Sequence, residues 1–192
     1  MENFMKALKN GDEETCIHIL EKENIDIHKK DNEIECYEQQ RLRKASSIVI
    51  ASEMGMAKVV EILIQKGANV NDTDYHGLTS LMKASIYNHT DVIEILLLNG
   101  ANIHEKCVNS GATAILYSCL HSNKNASQLL LSRGACANDT TNNEQTCYDV
   151  TFNPEIKSIL SKWPVTMMIT MCEELLIYNQ IYDSVYDLVK FV

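Results

Sequence analysis

No apolar run in this sequence is long enough to cross a bilayer. The longest candidates, near Ile93–Leu98 and Val165–Cys172, fall far short of the ~20 residues that a spanning helix needs. No C-x-x-C pair occurs either. The seven cysteines (Cys16, Cys36, Cys107, Cys119, Cys136, Cys147 and Cys172) are odd in number and scattered, which predicts a reduced, intracellular chain rather than a disulfide scaffold. The opening stretch, MENFMKALKNGDEE, is charged and lacks the apolar core of a signal peptide. Positive charge is in deficit: 17 Lys and Arg against 26 Asp and Glu give a net charge of -9. Such a balance disfavours phosphate backbones and anionic membrane surfaces, so neither nucleic acid nor membrane is an expected partner. No glycine is followed by lysine, as a phosphate loop requires, and G-x-S-x-G and H-E-x-x-H are both missing. What is present is an ordinary globular composition of 192 residues, 45% hydrophobic and 22% charged, enough for one or two domains.

An internal repeat organises the chain. Three Gly-Ala pairs, Gly67-Ala68, Gly100-Ala101 and Gly134-Ala135, recur at steps of 33 and 34 residues, and the segments before them match: VVEILIQKGANVND, VIEILLLNGANIHE and ASQLLLSRGACAND. A second landmark keeps the step, with Ser46, Thr79, Thr113 and Thr146 separated by 33, 34 and 33 residues. Each unit reads as two short helices. In the unit from Asp74 to Lys106, Gly77 ends a turn and Thr79 is placed to cap the first helix through its hydroxyl. Leu81, Ala84 and Ser85 face inward. Thr90 is read as the cap of the second helix, with Asp91 in its first turn. Val92, Ile93, Ile95, Leu96 and Leu97 form its apolar face, and Gly100 supplies the left-handed residue that ends it. Helices this short are unstable alone and must bury their faces against the next unit, which is how a solenoid holds together.

The period and residue order resemble the ankyrin repeat, whose pattern is D-x-x-G-x-T-P-L-H-x-A-A, a turn, an apolar helix, then G-A-D-V-N. The unit 74–106 matches without a gap. The unit 41–73 matches in length but has Lys44 where the turn glycine is expected, and the unit 108–140 follows one extra residue, Cys107. Residues 1–28 read as a divergent first unit, 29–40 as an insert, and 141–162 as a shortened last unit. The resemblance implies an all-α fold: an ankyrin-repeat solenoid of four to five helix-turn-helix units over residues 1–162, with a C-terminal helical cap over 163–192. The T-P-L-H segment is degraded. Its proline positions hold Ser47, Ser80 and Ala114, and its histidine positions hold Val49, Met82 and Leu116, so the hydrogen bonds a repeat histidine makes to neighbouring backbones are expected to be absent.

After Trp163-Pro164 the pattern changes. Met168, Met171, Cys172, Leu175 and Leu176 fall at helical spacing, as do Ile181, Val185, Leu188, Val189 and Val192. Two short helices follow from this, either a hairpin sealing the last unit or a docking element for a partner. This tail resembles the short apolar tails of some giant-virus ankyrin-repeat proteins.

Groups that could carry chemistry are few. His104-x-x-Cys107 is a close His/Cys pair at a unit junction, and two ligands do not make a tetrahedral metal site. Asp74-Tyr75-His76 reads as an exposed turn tip rather than an acid–base cluster. Cys16, Cys119 and Cys147 match core positions, where cysteine fills as a small apolar residue. No catalytic residue, cofactor or metal is expected.

In the ankyrin family, partners bind the turn tips and the exposed side of each first helix. Carried over, the turn-tip positions are Leu42, Arg43 and Ala45, then Tyr75, His76 and Leu78, then Asn109, Ser110 and Ala112. The helix positions form two rows, Met54, Tyr87 and His121, and Glu53, Ile86 and Leu120. An apolar and aromatic strip facing water has the composition of an interface. The alternative is that Ile86 and Leu120 merely pack beneath neighbouring turns. The insert is either part of the contact or a solvated linker. Asn71, with Leu63 eight residues before it, resembles the family's asparaginyl-hydroxylation site. The expected function is a non-catalytic scaffold or adaptor, monomeric and cytoplasmic (in host cytoplasm if the chain is viral), that holds a protein partner on its concave face. The alternatives are an adaptor whose tail recruits a second machine such as a ubiquitin ligase, and an enzyme with a cryptic site near the insert.

Overall fold

The computed structural model describes residues 2–22, 27 and 45–163. The insert, Leu42, Arg43, and the tail beyond Trp163 lie outside the described residues. Among the described residues, ten helices follow one another as five pairs: α1 (Glu2–Asn10) with α2 (Glu13–Lys22), α3 (Ser47–Glu53) with α4 (Ala57–Gln65), α5 (Ser80–Ile86) with α6 (Thr90–Leu98), α7 (Ala114–Leu120) with α8 (Lys124–Ser132), and α9 (Cys147–Val150) with α10, residues 154–163. Among the described residues there is no strand. Isolated antiparallel bridges join Thr73 to Thr79 and Thr140 to Thr146, closing the turns before α5 and α9.

The two helix types bury different amounts of themselves. The inner helices α3, α5 and α7 are each packed on their own partner and on the inner helices either side, so in α5 every residue from Ser80 to Ser85 is buried. The outer helices bury one stripe at matching positions: Val59, Val60 and Leu63 in α4, Val92, Ile93 and Leu96 in α6, Ala126, Ser127 and Leu130 in α8. A fully buried Ile93 or Leu96 contributes about 2–3 kcal/mol of apolar burial. The all-α solenoid is the fold the repeat period leads one to expect.

Local details follow the sequence in part. Thr79 caps α5: its hydroxyl accepts from Met82 N at 3.2 Å, while Met82 Sδ accepts from Thr79 N at 3.5 Å. The sulfur thus stands in for the usual carboxylate of a capping box. Thr90 is not a cap. It is the first residue of α6, and His89 occupies the capping position without its side chain capping the helix. Gly100 takes the left-handed φ of 85° that ends α6.

Val49, Met82 and Leu116 are buried, and the units are tied by other groups. Asn123 Nδ2 donates to the Ser85 and Ile86 carbonyls at 2.9 and 2.7 Å, and Asn88 Oδ1 accepts from Ala126 N at 3.1 Å. His89 Nε2 lies 3.1 Å from the Glu53 carbonyl oxygen; a carbonyl can only accept, so that nitrogen carries the proton. Asn71 Oδ1 accepts from Asn102 N at 2.8 Å, so its amide links two successive outer loops. Turn tips are stitched as well: Asn109 Nδ2 donates to the His76 carbonyl at 2.9 Å, and Asn142 N to the Ser110 carbonyl at 2.8 Å.

Candidate protein-binding surface

The inner helices end in register. Met54, Tyr87 and His121 are the C-terminal capping residues of α3, α5 and α7, and Glu53, Ile86 and Leu120 are the last helical residues before them. The three apolar members most open to water are Met54 at 42%, Tyr87 at 50% and Leu120 at 50% exposure, with His121 also exposed and Ile86 half-buried.

Tyr87 is both exposed and held. Its hydroxyl donates to Glu53 Oε1 at 3.2 Å, and its ring stacks on His89 with centroids 6.2 Å apart and planes inclined by 19°. Glu53 is fixed in turn, because Lys83 Nζ lies 3.1 Å from its other oxygen, Oε2. Lys83 Nζ also lies 3.2 Å from Asp74 Oδ2. Burial disfavours the charged ammonium, but the two carboxylates outweigh it, and the Lys83 pKa is raised above the usual lysine value.

Asp74 is therefore not at an exposed tip. It is buried, and its Oδ1 accepts from His76 N and Leu78 N, both at 2.9 Å, so that one carboxylate shapes the turn and anchors Lys83 together. The neighbouring Tyr75 and His76 are half-buried, with their rings 3.6 Å apart. Leu78 is half-buried and packs against the core, and its counterparts Ala45 and Ala112 are buried. In the next turn, Ser110 Oγ and the Tyr117 hydroxyl are 2.8 Å apart. Burial, then the contact with Cys107, pushes the Tyr117 pKa up to about 12. The Cys107 thiol donates to the His76 carbonyl at 3.4 Å. Burial opposes its ionisation, but hydrogen bonds from Tyr117, Ser110 and the backbone of Ser110 and Asn109 prevail and lower its pKa. Among the described residues, no group of three His, Cys, Asp or Glu side chains is placed to hold a metal ion.

Sequence reasoning missed Lys83. A signal was available: its counterparts one unit away are Ile50 and Tyr117, large residues with little exposure, so a lysine there must bury its stem and find a counter-charge.

A family model for ankyrin repeats (3 copies) matches residues 4–107, more than half of the chain. The chain belongs to the ankyrin-repeat family. Ankyrin repeats are generally modules of protein–protein interaction, and the family is typically non-enzymatic. No curated protein matches the chain. Among the described residues of this ankyrin-repeat protein, no helix is long and apolar enough to cross a membrane.

Proposed function

We propose that the protein is a non-catalytic scaffold or adaptor that holds a protein partner along the row Met54, Tyr87 and His121, with Ile86 and Leu120 of the adjoining row beside it and the tip residues Tyr75, His76 and Leu78 flanking it. The observation that carries this reading is Tyr87, exposed on one face yet held by Glu53 at its hydroxyl and by His89 against its ring. An aromatic fixed before binding loses little side-chain freedom on contact, which makes it a strong anchor. Met54 and Leu120 extend the apolar area on either side, and the Glu53 carboxylate sits in the adjoining row as a fixed acceptor. The same reading has the protein act as a monomer in the cytoplasm, without a cofactor. Affinity capture comparing wild type with the Tyr87→Ala/Leu120→Asp double variant tests it, with circular dichroism to verify folding. The expected result is a partner held by wild type and lost by the folded variant. Equal retention by both would overturn the assignment of this row.

A further inference from the structure

The two ends of the stack are finished differently. In the first helix pair Phe4, Met5, Leu8, Ile19 and Leu20 are all buried, and the exposed positions of α1 include Asn3, Lys6 and Lys9. In the last pair two aromatic side chains are open to water: Tyr148 at 51% exposure, and Phe152, in the link between α9 and α10, at 88%. Tyr148 is the second residue of α9. The second residues of α3, α5 and α7 are Ile48, Leu81 and Ile115, each exposed by 1% or less. A further inner helix packs after each of those three, whereas among the described residues none follows α9. The opening at Tyr148 is therefore the place that a following element would fill. Lys157 of α10 stands beside it, with Nζ 4.9 Å from the centre of the Tyr148 ring, and gives this face a positive charge.

We propose that the chain's own continuation, residues 165–176, fills this place as a helix, laying its apolar side over Tyr148 and Phe152 and closing the stack. Three features support that occupant. The first is reach. α10 runs to Trp163, which packs half-buried against the core, so the continuation starts at this end of the stack. As a helix, 165–176 would span about 18 Å against about 15 Å for α10, enough to run back along it. The second is the pattern. Met168, Met171, Cys172, Leu175 and Leu176 share one side of such a helix, and thioethers pack well on aromatic rings. The third is charge. The segment holds Glu173 and Glu174 and no Lys or Arg, which complements Lys157. A second copy stacked head to tail would instead set Tyr148 and Phe152 against the polar outward positions of α1. The partner row at the inner-helix ends stays open in this arrangement, so the inference stands apart from that reading. It does commit the apolar side of 165–176 to the stack rather than to recruiting a second machine.

Photo-cross-linking in the full chain tests this, with benzoylphenylalanine in place of Tyr148. The expected product on irradiation is an adduct within one molecule, and peptide mapping joins position 148 to residues 165–176. An adduct between two copies, an adduct to another segment only, or none at all overturns the proposal. Amide hydrogen exchange gives a second reading. In wild type the amides of 165–176 should exchange at least roughly tenfold more slowly than those of an unstructured chain, and unprotected amides there would sink the idea without recourse to any variant. Tyr148→Asp/Phe152→Asp changes two side chains at the surface and should speed that exchange roughly tenfold or more, leaving α5 and α7 unchanged. Protection of 165–176 that survives this double substitution would mean a helix that stands by itself, not one docked on the last pair.

Discussion

The Tyr87 hydroxyl donates to Glu53 Oε1 at 3.2 Å, joining the end of one inner helix to the end of the one before it. Lys83 completes the arrangement from beneath, bridging Glu53 and the buried Asp74. The exposed aromatic thus rests on a charged network, and the two layers should respond differently to mutation. Tyr87→Phe removes one half-exposed hydrogen bond and should cost about 1 kcal/mol. Lys83→Met leaves Asp74 buried without its counter-charge and should cost about 3 kcal/mol. A double-mutant cycle of Tyr87→Phe with Glu53→Gln, followed by urea denaturation, should give a coupling of about 1 kcal/mol. A coupling near zero would mean that the phenol is not held in solution.

Stability should fall on the alkaline side, and Cys16, Tyr117 and Lys83 are three of the groups that contribute. Burial, then the charges of Asp12 and Glu13, pushes the Cys16 thiol up to about 11 from an ordinary value of 9.0. Tyr117 is raised to about 12 from 10.0, and Lys83 is raised above 10.5. In each case the folded protein holds a proton that the unfolded chain gives up sooner. The contribution is therefore complete below the unfolded value and is lost as pH rises through the folded one. Decline should begin near pH 9 with Cys16 and steepen above pH 10. Cys16→Ala should remove the first part, worth about 2 kcal/mol, and Tyr117→Phe should remove part of the second. Denaturation midpoints measured between pH 7 and 11 would show this. A wild-type profile flat to pH 11 would contradict it.

Two turn positions one repeat apart should respond in opposite directions to changes involving glycine. Gly111 has φ of +69°, and a methyl group added there would sit 2.9 Å from the backbone nitrogen of Asn142 in the next turn. Gly111→Ala should therefore cost about 2 kcal/mol or more, from strain and collision together. Glu144, at the same place one unit later, has φ of +60° although it is not a glycine. Glu144→Gly should stabilise by up to about 1 kcal/mol. Thermal denaturation of the two variants, compared with wild type, reads both signs at once.

The sequence displayed the fold clearly because a solenoid writes its structure at one period. The Gly-Ala pairs and the Ser/Thr landmarks mark the same places in successive units, and the outer-helix stripe Val92, Ile93 and Leu96 can be read directly. What depends on contacts between units was harder to see. Asp74 reads as a polar turn residue until Lys83 is known to lie beneath it, and nothing within one unit says that the Asn123 amide reaches the Ser85 and Ile86 carbonyls of the unit before. Thr90 misled because it matches a capping residue in type, yet the chain enters the helix one residue earlier. The row Met54, Tyr87 and His121 was legible as a pattern, but the fixing of Tyr87 by Glu53 and His89 is a property of the stack.

Buried serines offer a final test, because two of them should answer the same change in opposite ways. Ser80 is fully buried at the first position of α5, and its hydroxyl finds no partner among the described residues. An unpaired buried hydroxyl costs about 1–3 kcal/mol, and the next unit already has Ala114 at this position. Ser80→Ala should therefore stabilise by about 1 kcal/mol, part of it from alanine's better helix propensity. Ser118 is equally buried, but its hydroxyl donates to the Ile115 carbonyl at 2.8 Å and meets Ser127 Oγ at 2.9 Å. Ser118→Ala takes a partner from Ser127 and should cost about 1 kcal/mol. Urea denaturation of both variants separates hydroxyl satisfaction from burial, since the two sites are alike in exposure. If Ser80→Ala destabilises by as much as Ser118→Ala, the Ser80 hydroxyl has a partner in solution, such as a bound water, and the stabilising effect assigned to its removal is wrong.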